Sequence, residues 1–221
     1  MRYLIVFFGL AMLATSCPKP PMFGIVDKPI IWNEERQAMS LAYLKEHHDL
    51  EYDSAYIEPK IILLHHTVIP TFQGTFDTFN PIHLPANRKY ISSAGRLNVS
   101  SQFVVDRDGT IYRLLPETAF ARHVIGLNYC SIGVENVGGT PDTPLTQAQI
   151  EANIHLVQYL KRKYPIEYLV GHHEYQAFMG TDLWRETDPN YLTEKNDPGD
   201  AFMKAVRKGV KKLDLKGPPK P

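Results

Sequence analysis

Two cysteines in 221 residues, Cys17 and Cys130, leave no room for a disulfide framework. An apolar core has to hold the chain together, and the length suffices for one good-sized core but not for two. An excess of either charge is also missing. Lys plus Arg and Asp plus Glu both number 24, so no net field draws the chain to nucleic acid or to acidic lipid. Internal repeats are absent, and nothing in the sequence implies a protein partner. The apolar run Tyr3 to Leu13 is too short to span a bilayer as a helix.

That run follows Met1-Arg2 and precedes the small residues Ala14-Thr15-Ser16 and then Cys17, the three parts of an export signal. Small residues just before a cysteine resemble a lipoprotein signal, which implies that residues 1–16 are removed and that Cys17 carries the lipid. The leucine usual three places before the cysteine is Ala14 here, with Leu13 one place further back; ordinary secretion with a free Cys17 is the alternative. Residues 17–30, with Pro18, Pro20, Pro21 and Gly24, read as a tether with little structure of its own. The folded domain is expected over 31–212, and 213–221 as a basic, proline-rich, disordered tail.

Within the domain, Ile61-Ile62-Leu63-Leu64-His65-His66 reads as a strand buried on both faces and ending in a histidine pair. A second stretch of the same form is Tyr168-Leu169-Val170-Gly171-His172-His173. Two such posts predict one shared site for a metal with nitrogen ligands. Alternation does not choose between His65 and His66, since both faces of the strand are apolar. Asp197 is the best candidate for a third ligand, because Pro198-Gly199 holds the backbone in a turn that can aim a carboxylate; Asp before Pro-Gly is also a common turn. Three protein ligands plus a water position is the pattern of a catalytic zinc. His173-Glu174 begins a helical zinc-protease motif, but Ala177 stands where its second histidine belongs.

The remaining elements follow from local signals. Asn33 caps a helix over Glu34–His48, whose His47-His48 end reads as solvated. Residues 70–88 read as a long loop, and Asp108-Gly109 turns a hairpin between Phe103–Val105 and Ile111–Leu115. Ser131–Glu135 is a strand ending in a carboxylate. Thr146 and Gln149 form a capping box for a core helix that Pro165 stops, with His155 off its apolar stripe and exposed. A last helix is expected over 200–212. The sum is an α/β chain, a single domain with a central mixed sheet flanked by helices.

Five segments in this order resemble the type-2 zinc-dependent N-acetylmuramoyl-L-alanine amidases, which share a fold with peptidoglycan recognition proteins. They are Ile61–Thr67, Asn98–Leu115, Ala121-Arg122-His123 through Ser131–Glu135, Gly171-His172, and Lys195–Gly199. The resemblance implies that His65, His172 and Asp197 bind Zn2+, that Glu135 and Lys195 are catalytic, and that His123 lines the substrate groove. His66 and His173 fall to supporting or surface roles. It implies cleavage of the amide between N-acetylmuramic acid and L-alanine in peptidoglycan or muropeptides, by an exported, periplasmic enzyme tethered to the outer membrane through Cys17. A non-catalytic peptidoglycan-binding module of the same fold is the alternative, and cleavage within the peptide is a third reading. Two departures stand out: a longer segment between His172 and Lys195, with Phe178, Trp184 and Tyr191, and Gln102 where relatives often carry histidine.

Overall fold

The computed structural model describes residues 24–86, 88, 91 and 94–220. The export signal and Cys17 lie outside these residues. Six strands of the described chain form one mixed sheet: β1 (Ile25–Asp27), β2 (Ile61–His66), β3 (Phe103–Val105), β4 (Ile111–Arg113), β5 (Ser131–Asn136) and β6 (Tyr168–Gly171), in the order β1-β4-β3-β5-β2-β6. Only the β3–β4 hairpin is antiparallel; β5, β2 and β6 run parallel side by side, with Ile61 opposite both Ser131 and Tyr168. Their C-terminal ends therefore meet at one edge of the sheet, the usual place for a site in a parallel sheet.

Parity along β2 divides the core. Ile62 and Leu64 pack with Leu156, Val157 and Leu160 of α3 (Gln147–Lys163) and with Phe202, Met203 and Val206 of α4 (Asp200–Gly209). Ile61 and Leu63 pack on the opposite face, with Tyr43 and Leu44 of α1 (Glu34–His48) and with Phe120, Leu127, Tyr175 and Phe178. A residue's number in the strand thus decides which layer it enters. The capping box of α3 forms as expected: Thr146 Oγ1 accepts from the Gln149 amide at 3.1 Å, and Gln149 Oε1 accepts from the Thr146 amide at 2.9 Å.

Four expectations are corrected. The end of the tether is ordered: Ile25–Asp27 is strand β1, paired parallel to β4. The loop 70–88 contains a helix, α2 (Phe72–Phe79), with Thr71 Oγ1 accepting from the Gly74 amide; Phe72, Phe76 and Phe79 are its apolar stripe. The tail is docked, because Leu213 and Leu215 pack on the α3–α4 core and Lys216 pairs with the β6 strand through Leu169 N–H donating to its carbonyl at 2.9 Å. Finally, His47 and His48 are 4% and 1% exposed rather than solvated. Their partners are remote in sequence. His47 Nδ1 lies 2.9 Å from Glu186 Oε1 and His48 Nδ1 2.9 Å from the Arg185 carbonyl, and burial lowers the His48 pKa to about 4. Those partners belong to the longer segment between His172 and Lys195, which is what fastens over the end of α1.

Candidate active site

The parallel edge holds a cleft of about 230 Å³. Strand parity puts His65 on the face of Ile61 and Leu63, His172 on the face of Val170, and Glu135 opposite His65 in the β2–β5 register. All three side chains enter from one side of the sheet. Asp197 arrives from the turn before α4, and its carbonyl accepts from the His173 amide at 2.9 Å.

Three atoms converge at one point. His65 Nδ1 and His172 Nδ1 are 2.9 Å apart, and Asp197 Oδ2 lies 3.3 Å from the first and 3.1 Å from the second. The three residues are 2%, 7% and 7% exposed. Among the described residues they are the group of His, Cys, Asp and Glu side chains that converges closely enough to hold an ion. Zinc bonds of about 2.0–2.1 Å in a tetrahedron give ligand–ligand edges of roughly 3.3 Å, so this close spacing and this nitrogen–oxygen donor set fit one zinc ion. The electrostatics agree. Burial, with the neighbouring His172, lowers the His65 pKa to about 4, and burial lowers that of His172, so both rings are neutral donors of lone pairs. Burial opposes ionisation of Asp197, but hydrogen bonds and charge from His172 and His65 outweigh it and hold the carboxyl far below the ordinary range.

Glu135 faces the same space without touching the cluster. Its Oε2 is buried and makes no hydrogen bond among the described residues. Burial first, then the charge of Asp197, pushes its pKa up to about 8, against the opposing charges of Lys195 and Arg88. An unpartnered carboxylate poised near neutrality is the profile of a general base. Lys195 is exposed at the cleft mouth, two residues before Asp197.

The resemblance drawn from the sequence is matched by direct comparison. The family model described as N-acetylmuramoyl-L-alanine amidase matches residues 55–200. The chain belongs to this amidase family. The match spans both histidine posts, Glu135, Lys195 and Asp197. Endolysins of Klebsiella phage KP32 and Escherichia phage T7 are 34% and 35% identical over 112 residues, which is 48% of this chain and 74% of each of theirs. The 1,6-anhydro-N-acetylmuramyl-L-alanine amidase AmpD of Enterobacter cloacae is 27% identical over 177 residues, 71% of this chain and 81% of its own. In fold, the chain is similar to the N-acetylmuramoyl-L-alanine amidase LysC from Clostridium intestinale, with a TM-score of 0.55 and 23% identity over 87% of this chain and 99% of that one.

His66 lies against Gly139 and lines the cleft, where a Cβ on the glycine would stand 2.3 Å from its ring. His173 Nδ1 is 3.0 Å from the Asp197 carbonyl and its Nε2 3.0 Å from Asp200 Oδ1; it braces the backbone of the candidate ligand. His123 also lines the cleft, with both ring nitrogens engaged by protein groups. Several contributors escaped the sequence. Asn136 Nδ2 donates to the His65 carbonyl at 2.9 Å and is itself held by Asn153 at 2.7 Å. Arg88 and Tyr191 wall the cleft, and Arg122 Nη2 donates to the Tyr191 hydroxyl at 3.1 Å. Tyr191 arrives on the longer segment, the one signal in the sequence that pointed to it.

Proposed function

We propose that this amidase is zinc-dependent, with His65 Nδ1, His172 Nδ1 and Asp197 Oδ2 as ligands, Glu135 as general base and acid, and Lys195 as the stabiliser of negative charge. The observation that carries this reading is the buried three-atom cluster with a buried, unpartnered Glu135 oxygen on the neighbouring strand, in register with His65. Zinc held by these three residues would supply Lewis-acid chemistry, making water more acidic and polarising the scissile carbonyl. Glu135 takes the proton of the attacking water on its free oxygen and delivers it to the nitrogen of the leaving L-alanine. Lys195 brings positive charge to the mouth of the cleft, where it offsets the tetrahedral oxyanion. A cation in the cleft favours the ionised form of Glu135 that this proton transfer needs, and burial keeps the imidazoles neutral as lone-pair donors. The bond broken is the amide between the lactyl group of N-acetylmuramic acid and L-alanine, in peptidoglycan or muropeptides.

The test is metal removal. Dialysis against a strong chelator should abolish release of stem peptide from muropeptides, and one equivalent of zinc should restore it. Full turnover by metal-free protein would overturn the zinc reading. The presence of Glu135 with its unpartnered oxygen weighs against a module that binds peptidoglycan without cutting it.

Delivery to the periplasm as an outer-membrane lipoprotein is the companion proposal, supported by the pattern Ala14-Thr15-Ser16-Cys17. Among the described residues no helix is long and apolar enough to cross a membrane. Cys17 should incorporate labelled fatty acid in cells, and Cys17→Ser should fractionate away from the membrane. Equal membrane association of the two forms would transfer the anchoring role from Cys17 to the apolar run.

A further inference from the structure

His123 stands immediately behind the ligand His65. Its Nε2 is 3.3 Å from the backbone carbonyl of Ser131 and its Nδ1 is 2.9 Å from His65 Nε2. The direction of these bonds can be worked out from one end. A carbonyl oxygen only accepts, so His123 carries its proton on Nε2 and a neutral ring then presents Nδ1 as an acceptor. The hydrogen that faces Nδ1 has to come from His65 Nε2. With its single proton there, His65 is left with a lone pair on Nδ1, the atom that points at His172 Nδ1 and Asp197 Oδ2.

We propose that His123 is a positioning residue for the metal: by accepting from His65 Nε2–H, it fixes the tautomer and ring angle that make His65 Nδ1 a ligand. This role presupposes the ligand set proposed above and adds to the groove-lining role expected from the sequence. A metal-bound imidazole commonly donates its second nitrogen to a fixed acceptor, which orients the ring and raises its basicity. Here the acceptor is another imidazole, terminated by a strand carbonyl.

The surroundings are built to hold that ring. Its backbone amide donates to Asn128 Oδ1 at 2.8 Å, as does the amide of Val124 at 2.9 Å. Gly133 lies under it in the middle of β5, where a Cβ would come within 2.8 Å of the imidazole. Glycine inside a strand lacks a side chain to pack and is otherwise unfavourable there. A close approach by His123 is a reason for it. Gln102 completes the support, its Oε1 accepting from the Gly133 amide at 2.7 Å while its Nε2 donates to the Ala119 carbonyl at 2.8 Å. The two rings meet edge to face, 5.1 Å between centroids at 87°, so a modest tilt of His123 carries the acceptor off the axis of the His65 N–H.

The experiment measures zinc affinity rather than turnover, by competition with a chromophoric chelator, on the full-length protein. His123→Phe keeps a ring but offers no acceptor, and should raise the zinc Kd by 10- to 100-fold, the range found for the loss of outer partners of metal ligands. His123→Gln can accept through Oε1 and should recover part of that loss. Gly133→Ala, which pushes the ring without removing it, should weaken zinc in the same direction. Cobalt-substituted His123→Phe should show an altered visible spectrum if the His65 ring has turned. An unchanged Kd in both His123→Phe and Gly133→Ala, with a raised KM for muropeptide, would overturn the inference and put His123 on the substrate. Should His65→Ala itself keep full zinc affinity, the ligand set fails. Loss of zinc in His65→Ala alongside full affinity in His123→Phe removes only the positioning role.

Discussion

Alanine at His65, His172 or Asp197 is expected to strip the protein of zinc and of turnover together, each change weakening the metal by well over the ~100-fold associated with outer-shell contacts. The reason is geometric. Each of the three atoms occupies one corner of a buried triangle with edges of 2.9, 3.1 and 3.3 Å, and no fourth His, Cys, Asp or Glu among the described residues stands close enough to substitute. Asp197→Ala adds an electrostatic loss, since the carboxylate is the one ligand that brings negative charge to the ion. Neighbouring histidines are the controls. His66→Ala should keep the metal, because the ring belongs to the other strand parity and rests on Gly139. His173→Ala should keep most of it, losing only one brace on the Asp197 carbonyl. Metal analysis after gel filtration measures stoichiometry, and thermal unfolding gives an independent reading: zinc at 100 times its Kd should stabilise the wild type by about 2.7 kcal/mol and leave the three ligand variants unmoved. Wild-type zinc content in His65→Ala, or equal losses in His65→Ala and His66→Ala, would sink the assignment.

The strands that build this site announce themselves in sequence because they are continuous apolar runs, and the two histidine pairs mark where they end. What stayed hidden was the side each imidazole takes. Both faces of β2 are apolar, one served by α3 and α4 and the other by α1, so hydrophobicity carries no parity signal. The register supplies it: once His65 pairs with Glu135, and Gly133 two residues earlier is seen to make room for His123, the odd-numbered face is the chemical one. Helix α1 conceals its buried face for a related reason. Its inward face carries Arg36, Ser40, His47 and His48 beside Tyr43 and Leu44; the two histidines become core because Glu186 and Arg185, almost 140 positions away, come to meet them, and Arg36 because the Phe79 and Asn80 carbonyls accept from its guanidinium. Over α2, Pro70 and Gly74 weigh towards loop, while the Thr71 cap and the phenylalanine spacing, both local, outweigh them. The docked tail depends on a pairing of Lys216 with the β6 edge that no local pattern encodes.

Glu135→Gln should separate chemistry from folding in opposite directions. The amide keeps the shape of the carboxylate and can still hydrogen-bond, so zinc and muropeptide binding should persist while turnover falls by on the order of 10²- to 10⁴-fold, the contribution of a general acid or base. Stability should move the other way. Folding lifts the Glu135 pKa from its ordinary 4.5 to about 8, mainly by burial, so the folded chain holds this proton more tightly than the unfolded one. Stability therefore declines as pH rises through the interval from 4.5 to 8, and the native state is the one that suffers from the buried charge. Glutamine has no charge to bury. The metal-free Glu135→Gln protein should be more stable than metal-free wild type at pH 8, by on the order of 1 kcal/mol or more, and the difference should vanish below pH 4.5, where both side chains are neutral. Urea unfolding of the chelated proteins at pH 4 and pH 8 measures this, beside peptide release at matched zinc content. If Glu135 merely ended a strand and paired with a cation, the substitution would instead weaken the fold at pH 8 and spare the rate. A carboxylate kept at the expense of stability is what a site selected for catalysis retains, and its unpartnered Oε2 is where that conflict is located.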